Sequence, residues 1–326
     1  MRPHRSVSQH LRRTVPGLAA AVLALGALSA CGDDSENADD PATSPAAESS
    51  PTEETTTADA TTPAATETAG TEDTTDRAAG DQIASPFFVG RTPQGQRLYR
   101  ELITEASLDG AVTALMDGPT DPDYRTLVPT DSLAGASFDG VGKKGTFTVE
   151  LADGSWTDRP GDMTAAQARL AVQQLVWTLQ TVQEGDSYDP TQRTAAPVDF
   201  VVDGERVDYL GVPSGATARP ELRILASVNI IGGVDAPVSG RGFEVTGMAS
   251  SFEANVPWRL VTAGGAVVVR SNATAEGWMG GLYPWTAPID LSGVAPGEYT
   301  LIASTDDPSG GEGGGPTEDS KAITVE

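Results

Sequence analysis

A long segment without aromatic residues limits which part of this chain can fold. Residues 31–81 consist mainly of Ala, Thr, Ser, Pro, Asp and Glu. A segment this polar and acidic cannot bury enough apolar surface to offset the entropy lost on ordering. We therefore predict a disordered acidic linker over residues 31–81, with an r.m.s. span of ~40 Å if it behaves as a flexible coil. Packed structure is expected from residue 83 onward.

The segment before this linker is typical of an export signal. It carries four arginines within its first 13 residues, followed by an apolar run from Leu18 to Leu28. That run is too short for a membrane-spanning helix, which needs ~20 residues. The run ends at Leu28-Ser29-Ala30-Cys31, which resembles the lipobox of bacterial lipoproteins. The resemblance implies a signal peptide over residues 1–30, cleavage before Cys31, and a diacylglyceryl lipid with acyl chains such as palmitate on the Cys31 thiol.

An ordinary secretory leader with an incidental cysteine is the alternative interpretation. Cys31 is the one cysteine of the chain, so it has no disulfide partner within the protein. Its position at the small-residue end of the apolar run is what a lipobox requires. Lipid attachment is therefore favoured, and it would hold the protein at the extracytoplasmic face of the cell membrane.

The composition excludes several kinds of function. The formal net charge is −25, and binding to phosphates needs clustered Lys and Arg, so no nucleic-acid partner is expected. Both histidines, His4 and His10, lie in the leader. A mature chain without histidine can form no Ser-His-Asp triad, no Cys-His dyad and no zinc site of the usual ligand set. We therefore predict no cofactor and no metal site.

Apolar periodicity predicts an α+β domain over residues 83–211. Helical spacing over Asp109–Met116 stops at Gly118-Pro119, and Thr164 to Gln167 fits a capping box before a longer apolar helix. The predicted strands are 87–89, 97–105, 145–151 and 198–202, with a hairpin turn at Asp203-Gly204 before 206–209. This mixture suggests helices packed on one face of a sheet.

Residues 222–326 lack helical patterns and are predicted to form an immunoglobulin-like β-sandwich. Gly- and Pro-rich turns separate short segments with strand character. These segments are 222–230, 243–249, 254–261, 266–270, 287–291, 298–304 and 322–325. About seven short strands in about 100 residues are typical of this fold.

Both regions resemble domains of bacterial spore germination proteins. Residues 83–211 resemble a GerMN (sporulation and spore germination) domain, through Phe87-Phe88-Val89, Leu115-Met116-Asp117-Gly118-Pro119 and Leu127-Val128-Pro129. Residues 222–326 resemble the immunoglobulin-like domain that often follows GerMN, through the segments 252–260 and 296–301. The resemblance implies a noncatalytic protein of the cell envelope.

Two acidic loops are candidate cation sites, and each has a simpler interpretation. Asp121-Pro122-Asp123 can supply a pair of ligands, but Asp and Pro also start turns, and the turn is favoured. Asp306, Asp307 and Glu312 lie in a Gly-rich loop that can bind Ca²⁺ weakly, although a solvated loop is favoured.

Two kinds of catalysis are also disfavoured. Glycoside hydrolysis needs two carboxylates ~5–10 Å apart across a sugar cleft, and Asp139 and Glu150 are only two among many surface acids. Ser-Lys catalysis would need Lys143, Lys144 or Lys321, and the first two lie in a Gly-flanked turn where cations are easily solvated. We therefore predict that the protein is not an enzyme.

An aromatic cluster is the best candidate partner contact. Trp278, Tyr283 and Trp285 lie in a Gly-rich loop, residues 277–285. If exposed, they would suggest a contact with a protein or a sugar. The alternative, which is favoured, is that Trp278 and Trp285 fill the sandwich core together with Trp258.

These observations predict a membrane-anchored lipoprotein that binds or scaffolds another component of the cell envelope. An unidentified envelope protein is the expected partner. The alternative function is a cell-wall polysaccharide-binding module or a weak glycan hydrolase.

Overall fold

The structure is a computed structural model that describes residues 85–103, 107–141, 144–184, 195–234, 236–312 and 314–326. The predicted signal peptide, the predicted lipidation site Cys31 and the predicted acidic linker lie outside the described residues. None of the helices in the described ranges combines the length and the apolar character that crossing a bilayer requires.

The first domain begins with a β-hairpin and continues into a sheet covered by two helices. Its elements in chain order are β1 (Phe87–Thr92), β2 (Gly95–Arg100), α1 (Leu108–Asp117), β3 (Leu133–Phe138), β4 (Phe147–Leu151), α2 (Ala165–Glu184), β5 (Val198–Val202) and β6 (Glu205–Val207). The sheet has the order β3-β4-β5-β6, in which β4 and β5 are parallel.

Helix α2 forms the apolar layer against this sheet. Its start is the predicted capping box: the amide of Gln167 donates to the Thr164 hydroxyl (3.2 Å), and the amide of Thr164 donates to the Gln167 side chain (2.8 Å). The buried helix face packs with the inward side chains of β4 and β5 in one cluster, which includes Ala171, Leu175, Leu179, Val149 and Phe200.

Local turn chemistry sets the register of β5 and β6. Val202 pairs with Glu205 across Asp203 and Gly204, which have φ values of 51° and 81°. Two consecutive positive φ values match the right-handed strand twist, and Asp-Gly tolerates them well. The predicted hairpin is therefore confirmed.

The second domain is a two-sheet sandwich that follows a short linker helix. Its elements are α3 (Glu221–Ile224), β7 (Val228–Gly232), β8 (Gly242–Ala249), β9 (Asn255–Thr262), β10 (Val267–Thr274), β11 (Tyr283–Asp290), β12 (Gly297–Ser304) and β13 (Glu318–Val325). The two sheets have the orders β10-β9-β12-β13 and β11-β8-β7. One apolar cluster joins their inner faces and includes Val245, Ile289, Val256, Leu260 and Leu301. The predicted fold class, an α+β domain followed by an all-β sandwich, is confirmed.

Two of the strand predictions extend several residues beyond the strands that form. Residues 222–230 do not form one strand, because Pro220 precedes a helical turn and β7 starts only at Val228. Strand β2 ends at Arg100, short of Glu105, because Arg100 already pairs with Phe87, the first residue of β1.

Candidate functional site

The two domains meet at a cluster of buried apolar side chains, which we call the domain seam. Its members are Phe87, Val89 and Leu98 of the β1-β2 hairpin, Trp177 of helix α2, Ile224 and Leu225 of the linker helix region, and Met248 and Leu282 of the sandwich. The carbonyl of Leu98 accepts a hydrogen bond from the amide of Ala226 (2.9 Å). The hairpin is thus attached to the chain that enters the sandwich.

A buried carboxylate also takes part in the contact between the two domains. Asp319 of β13 is 3% exposed. One of its oxygens accepts from the amide of Ile230 (2.6 Å) and from the side-chain amide of Asn229 (3.0 Å), and the other accepts from the Tyr124 hydroxyl of the first domain. Asn229 in turn accepts from the amide of Arg100 in β2 (2.7 Å). Asp319 and Asn229 therefore connect the sandwich to two separate segments of the first domain.

Burial controls the protonation chemistry of this group of side chains. Burial raises the pKa of the Asp319 carboxyl, and the nearby Lys321 ammonium opposes that shift. Burial and then the Asp319 charge raise the pKa of Tyr124 well above its ordinary value of 10.0, so the Tyr124 hydroxyl keeps its proton and acts as a donor. The arrangement holds the two domains together and uses both Asp319 oxygens as hydrogen-bond acceptors.

The Asp121-Pro122-Asp123 loop docks on the same strand of the sandwich. The Lys321 ammonium lies 2.6 Å from an Asp121 oxygen and 3.0 Å from the Tyr124 hydroxyl, and 4.3 Å from the centre of the Tyr124 ring. The other Asp121 oxygen accepts from the amide of Asp123 (2.9 Å), which is the favoured turn. These carboxylates are used in the domain contact.

Two grooves flank this contact. One has a volume of about 510 Å³ and is lined by residues that include Arg91, Arg125 and Glu318, and the other has a volume of about 570 Å³. Asp123 and Ser320 line both grooves. Since the Ser320 hydroxyl donates to the Asp123 carboxylate, this bond forms part of the wall between the grooves.

The carboxylates of the Gly-rich loop bond to different partners. Asp307 accepts from the amide of Ser309 (3.1 Å), whereas Asp306 accepts from the Asn255 side chain (3.1 Å). Within the described ranges, no group of three or more His, Cys, Asp or Glu side chains is arranged to hold a metal ion.

The two carboxylates considered for glycoside hydrolysis are also separated. Asp139 accepts from the amide of Thr146 (2.7 Å), just before β4. Glu150 lies four residues after Thr146 in the chain. At the rise of a strand this places Glu150 roughly 13 Å from Thr146, to which Asp139 is bonded. Lys144 is exposed, and Lys143 lies outside the described residues.

The residues of the aromatic cluster differ in how far they are exposed to solvent. Trp285 is 2% exposed and lies in the sandwich core, where it pairs with Gly247 of β8. A Cβ atom at Gly247 would lie 2.6 Å from the Trp285 ring, so glycine makes room for the indole. Tyr283 and Trp285 belong to strand β11 instead of the predicted loop. Trp278 is 39% exposed.

Comparisons with known proteins agree with this two-domain arrangement. Residues 87–208 match the family model described as sporulation and spore germination. Residues 234–312 match the model described as the immunoglobulin-like domain of bacterial spore germination. The chain has the domain architecture of a spore germination protein. No characterised protein in the curated comparison matches it.

Two solved structures share partial similarity with this chain. The tandem GerMN domains of the sporulation protein GerM from Bacillus subtilis are 14% identical, with a TM-score of 0.30, over 64% of this chain and 61% of that chain. An engineered protein is 20% identical, with a TM-score of 0.23, over 34% of this chain and 22% of that one. The match therefore spans less than two thirds of either structure.

Proposed function

We propose that this protein is a lipid-anchored, noncatalytic scaffold of the spore-germination type at the extracytoplasmic face of the cell membrane. The observation that carries the proposal is a germination-type pair of domains behind a leader that ends at Leu28-Ser29-Ala30-Cys31. A lipid on Cys31 attaches the chain to the membrane, and two acyl chains anchor stably where one is marginal. The linker over residues 31–81 lets the domains reach a partner at a distance.

The use of buried charges in the contact between the two domains supports a scaffolding role. Asp319, Lys321 and Asp121 each bond to groups of the opposite domain. Two domains joined in this way offer a partner one continuous surface. The exposed Trp278 is the part of the aromatic cluster that such a partner can reach.

Substitution of the lipid-acceptor cysteine tests the anchor. We expect Cys31→Ala to abolish incorporation of labelled palmitate and to leave the protein either soluble or unprocessed. Ser29→Ala is the matched control, because it keeps a small residue in the leader and should leave the protein in the membrane fraction. If Cys31→Ala is processed normally and still fractionates with membranes, the anchor proposal is wrong.

Crosslinking in cells, compared with binding to purified peptidoglycan, tests the scaffold. A protein scaffold should form reproducible crosslinks to an envelope protein and show little retention on the wall polymer. Retention on peptidoglycan without protein crosslinks would instead support a wall-binding module, and release of soluble glycan would support a hydrolase.

A further inference from the structure

Four exposed apolar side chains form a patch at one end of the sandwich, which we call the apolar platform. Its residues are Leu222, Phe252, Trp278 and Met279, which are 41%, 41%, 39% and 66% exposed. The rings of Phe252 and Trp278 meet edge to face, with centroids 5.5 Å apart and an interplanar angle of 79°. Leu222 and Phe252 both line a cavity of about 280 Å³ beside the rings. Clusters of exposed aromatic and aliphatic side chains are typical of binding surfaces.

The backbone that carries the platform is held in place by local contacts. The Ser250 hydroxyl donates to the carbonyl of Trp278 (3.3 Å), and the Tyr283 hydroxyl donates to the carbonyl of Met279 (2.6 Å). Glu253 and Ala254, which follow Phe252, have φ values of 52° and 60°. Non-glycine residues adopt this conformation at a cost, and such strain concentrates where a surface is used for binding. A platform fixed in advance loses less entropy on binding.

Acidic side chains surround the platform. Asp306 and Asp307 line the same cavity as Leu222 and Phe252, and the exposed Glu253 adjoins Phe252. Arg97 is the cationic residue among those that line the cavity in the described part of the chain. Its guanidinium donates to the carbonyl of Gln96 (2.9 Å).

Arg223 provides a second cation beside Leu222. Three carboxylates against two arginines leave the surroundings acidic, on a chain whose formal net charge is −25. Charge complementarity therefore favours a basic partner.

We propose that the apolar platform binds a basic protein segment, which packs an apolar side chain against the exposed rings of Phe252 and Trp278 and places cationic side chains against Asp306, Asp307 and Glu253. This inference rests on the proposed scaffold function and adds the chemistry of the partner. A membrane surface is a poorer occupant, since anionic lipids would be repelled by the same carboxylates.

Peptide binding to the full chain carrying Cys31→Ala tests this proposal. The probes are two labelled synthetic peptides of equal positive charge, one an amphipathic Leu/Lys sequence and the other its Ser/Lys counterpart. The Ser/Lys peptide measures the general attraction of an acidic protein for cations. We expect the Leu/Lys peptide to bind at least about tenfold more tightly in a fluorescence anisotropy titration, because its leucines can pack against the exposed rings of the platform.

Single substitutions test whether the difference in affinity between the two peptides depends on the platform. Trp278→Ala and Phe252→Ala should each reduce the ratio of the two affinities to near one, and Asp307→Asn should weaken the salt dependence of Leu/Lys binding. Val268→Ala is the control, because Val268 is an exposed valine near the other end of β9, roughly 25 Å away at the rise of a strand. Trp278→Phe, which keeps an aromatic ring, should retain most of the binding and so separates a lost contact from a lost fold.

Three results would overturn the proposal. The first is equal binding of the two peptides, and the second is a ratio that Trp278→Ala leaves unchanged. The third is a platform-dependent preference for phosphatidylcholine vesicles or for a second copy of the chain, measured by flotation and by sedimentation. None of these measurements needs the lipid on Cys31, so failure of the platform and failure of the anchor are distinguishable.

Discussion

The residue with the most demanding environment in the described structure is Asp319. Its carboxylate is buried and accepts from Ile230, Asn229 and Tyr124. A buried charge is costly unless its hydrogen-bonding capacity is used, and removing it leaves its donors without a partner. Asp319 is therefore expected to contribute to stability through these donors as much as through its own charge.

Replacing Asp319 should destabilise the protein strongly. We expect Asp319→Ala to lower the free energy of unfolding by about 3 kcal/mol, because buried donors are left unsatisfied. Urea denaturation followed by fluorescence measures this change. The neighbouring Glu318→Gln is the control: Glu318 is 45% exposed and bonds to Arg259, and such surface ion pairs are worth about 0–1 kcal/mol. Equal losses in the two variants would contradict this interpretation.

The importance of Asp319 has a weak signal in the sequence. Alternation along β13 places Asp319, Ile323 and Val325 on one face, and all three are buried. A carboxylate on the apolar face of a strand indicates a buried polar contact. The pattern predicted a strand only over 322–325, so the alternation that includes Asp319 was missed.

At the scale of single elements, the linker helix α3 shows how short patterns fail. Leu222 and Ile224 are two residues apart, a spacing that fits an alternating strand. Pro220, which has a φ of −50°, instead precedes one helical turn, and Leu222 stays exposed on the apolar platform. A helix of four residues has too few apolar positions to show a helical period.

The same helix should make stability depend on pH. Burial raises the pKa of Glu221 from its ordinary value of 4.5 to about 7, although a hydrogen bond from the Leu282 amide opposes the shift. The native state therefore holds this proton more tightly than the unfolded state does. The resulting stabilisation is fully present below pH 4.5 and is lost as the pH rises through about 7.

Denaturation of Glu221→Gln across this pH window checks the sign. Because glutamine does not titrate, the stability of the wild type relative to Glu221→Gln should fall between pH 4.5 and about 7. Leu222→Ala on the same helix is the control, since it removes no titratable group and its effect should not vary with pH. A constant difference between wild type and Glu221→Gln would contradict the prediction.

At the scale of the whole molecule, the domain seam packs the two domains against each other. Both domains belong to a single compact unit. Leu98 of the first domain packs with Leu225 and Met248, which belong to the linker region and the sandwich. Buried apolar contacts of this kind couple the unfolding of neighbouring domains.

Two matched leucine substitutions test this coupling. Leu98 lies in the seam and Leu260 in the sandwich core, and both are almost fully buried. Each Leu→Ala change should cost about 2–5 kcal/mol. In calorimetry we expect one transition for the wild type and for Leu260→Ala, and two separated transitions for Leu98→Ala. Two transitions in the wild type would show that the seam does not couple the domains.

The sequence by itself determined the order and type of most elements. Capping at Thr164, the turn at Asp203-Gly204 and the strand periodicities depend on residues close together in the chain, so their patterns can be read locally. The tertiary structure alone decided which aromatic residues are exposed and which charges are buried. Tyr124 and Asp319 are separated by 195 positions, and Trp285 is buried in the sandwich core next to Gly247, which lies 38 positions earlier in the chain. Contacts between distant segments depend on how the sheets pack, which local periodicity does not specify.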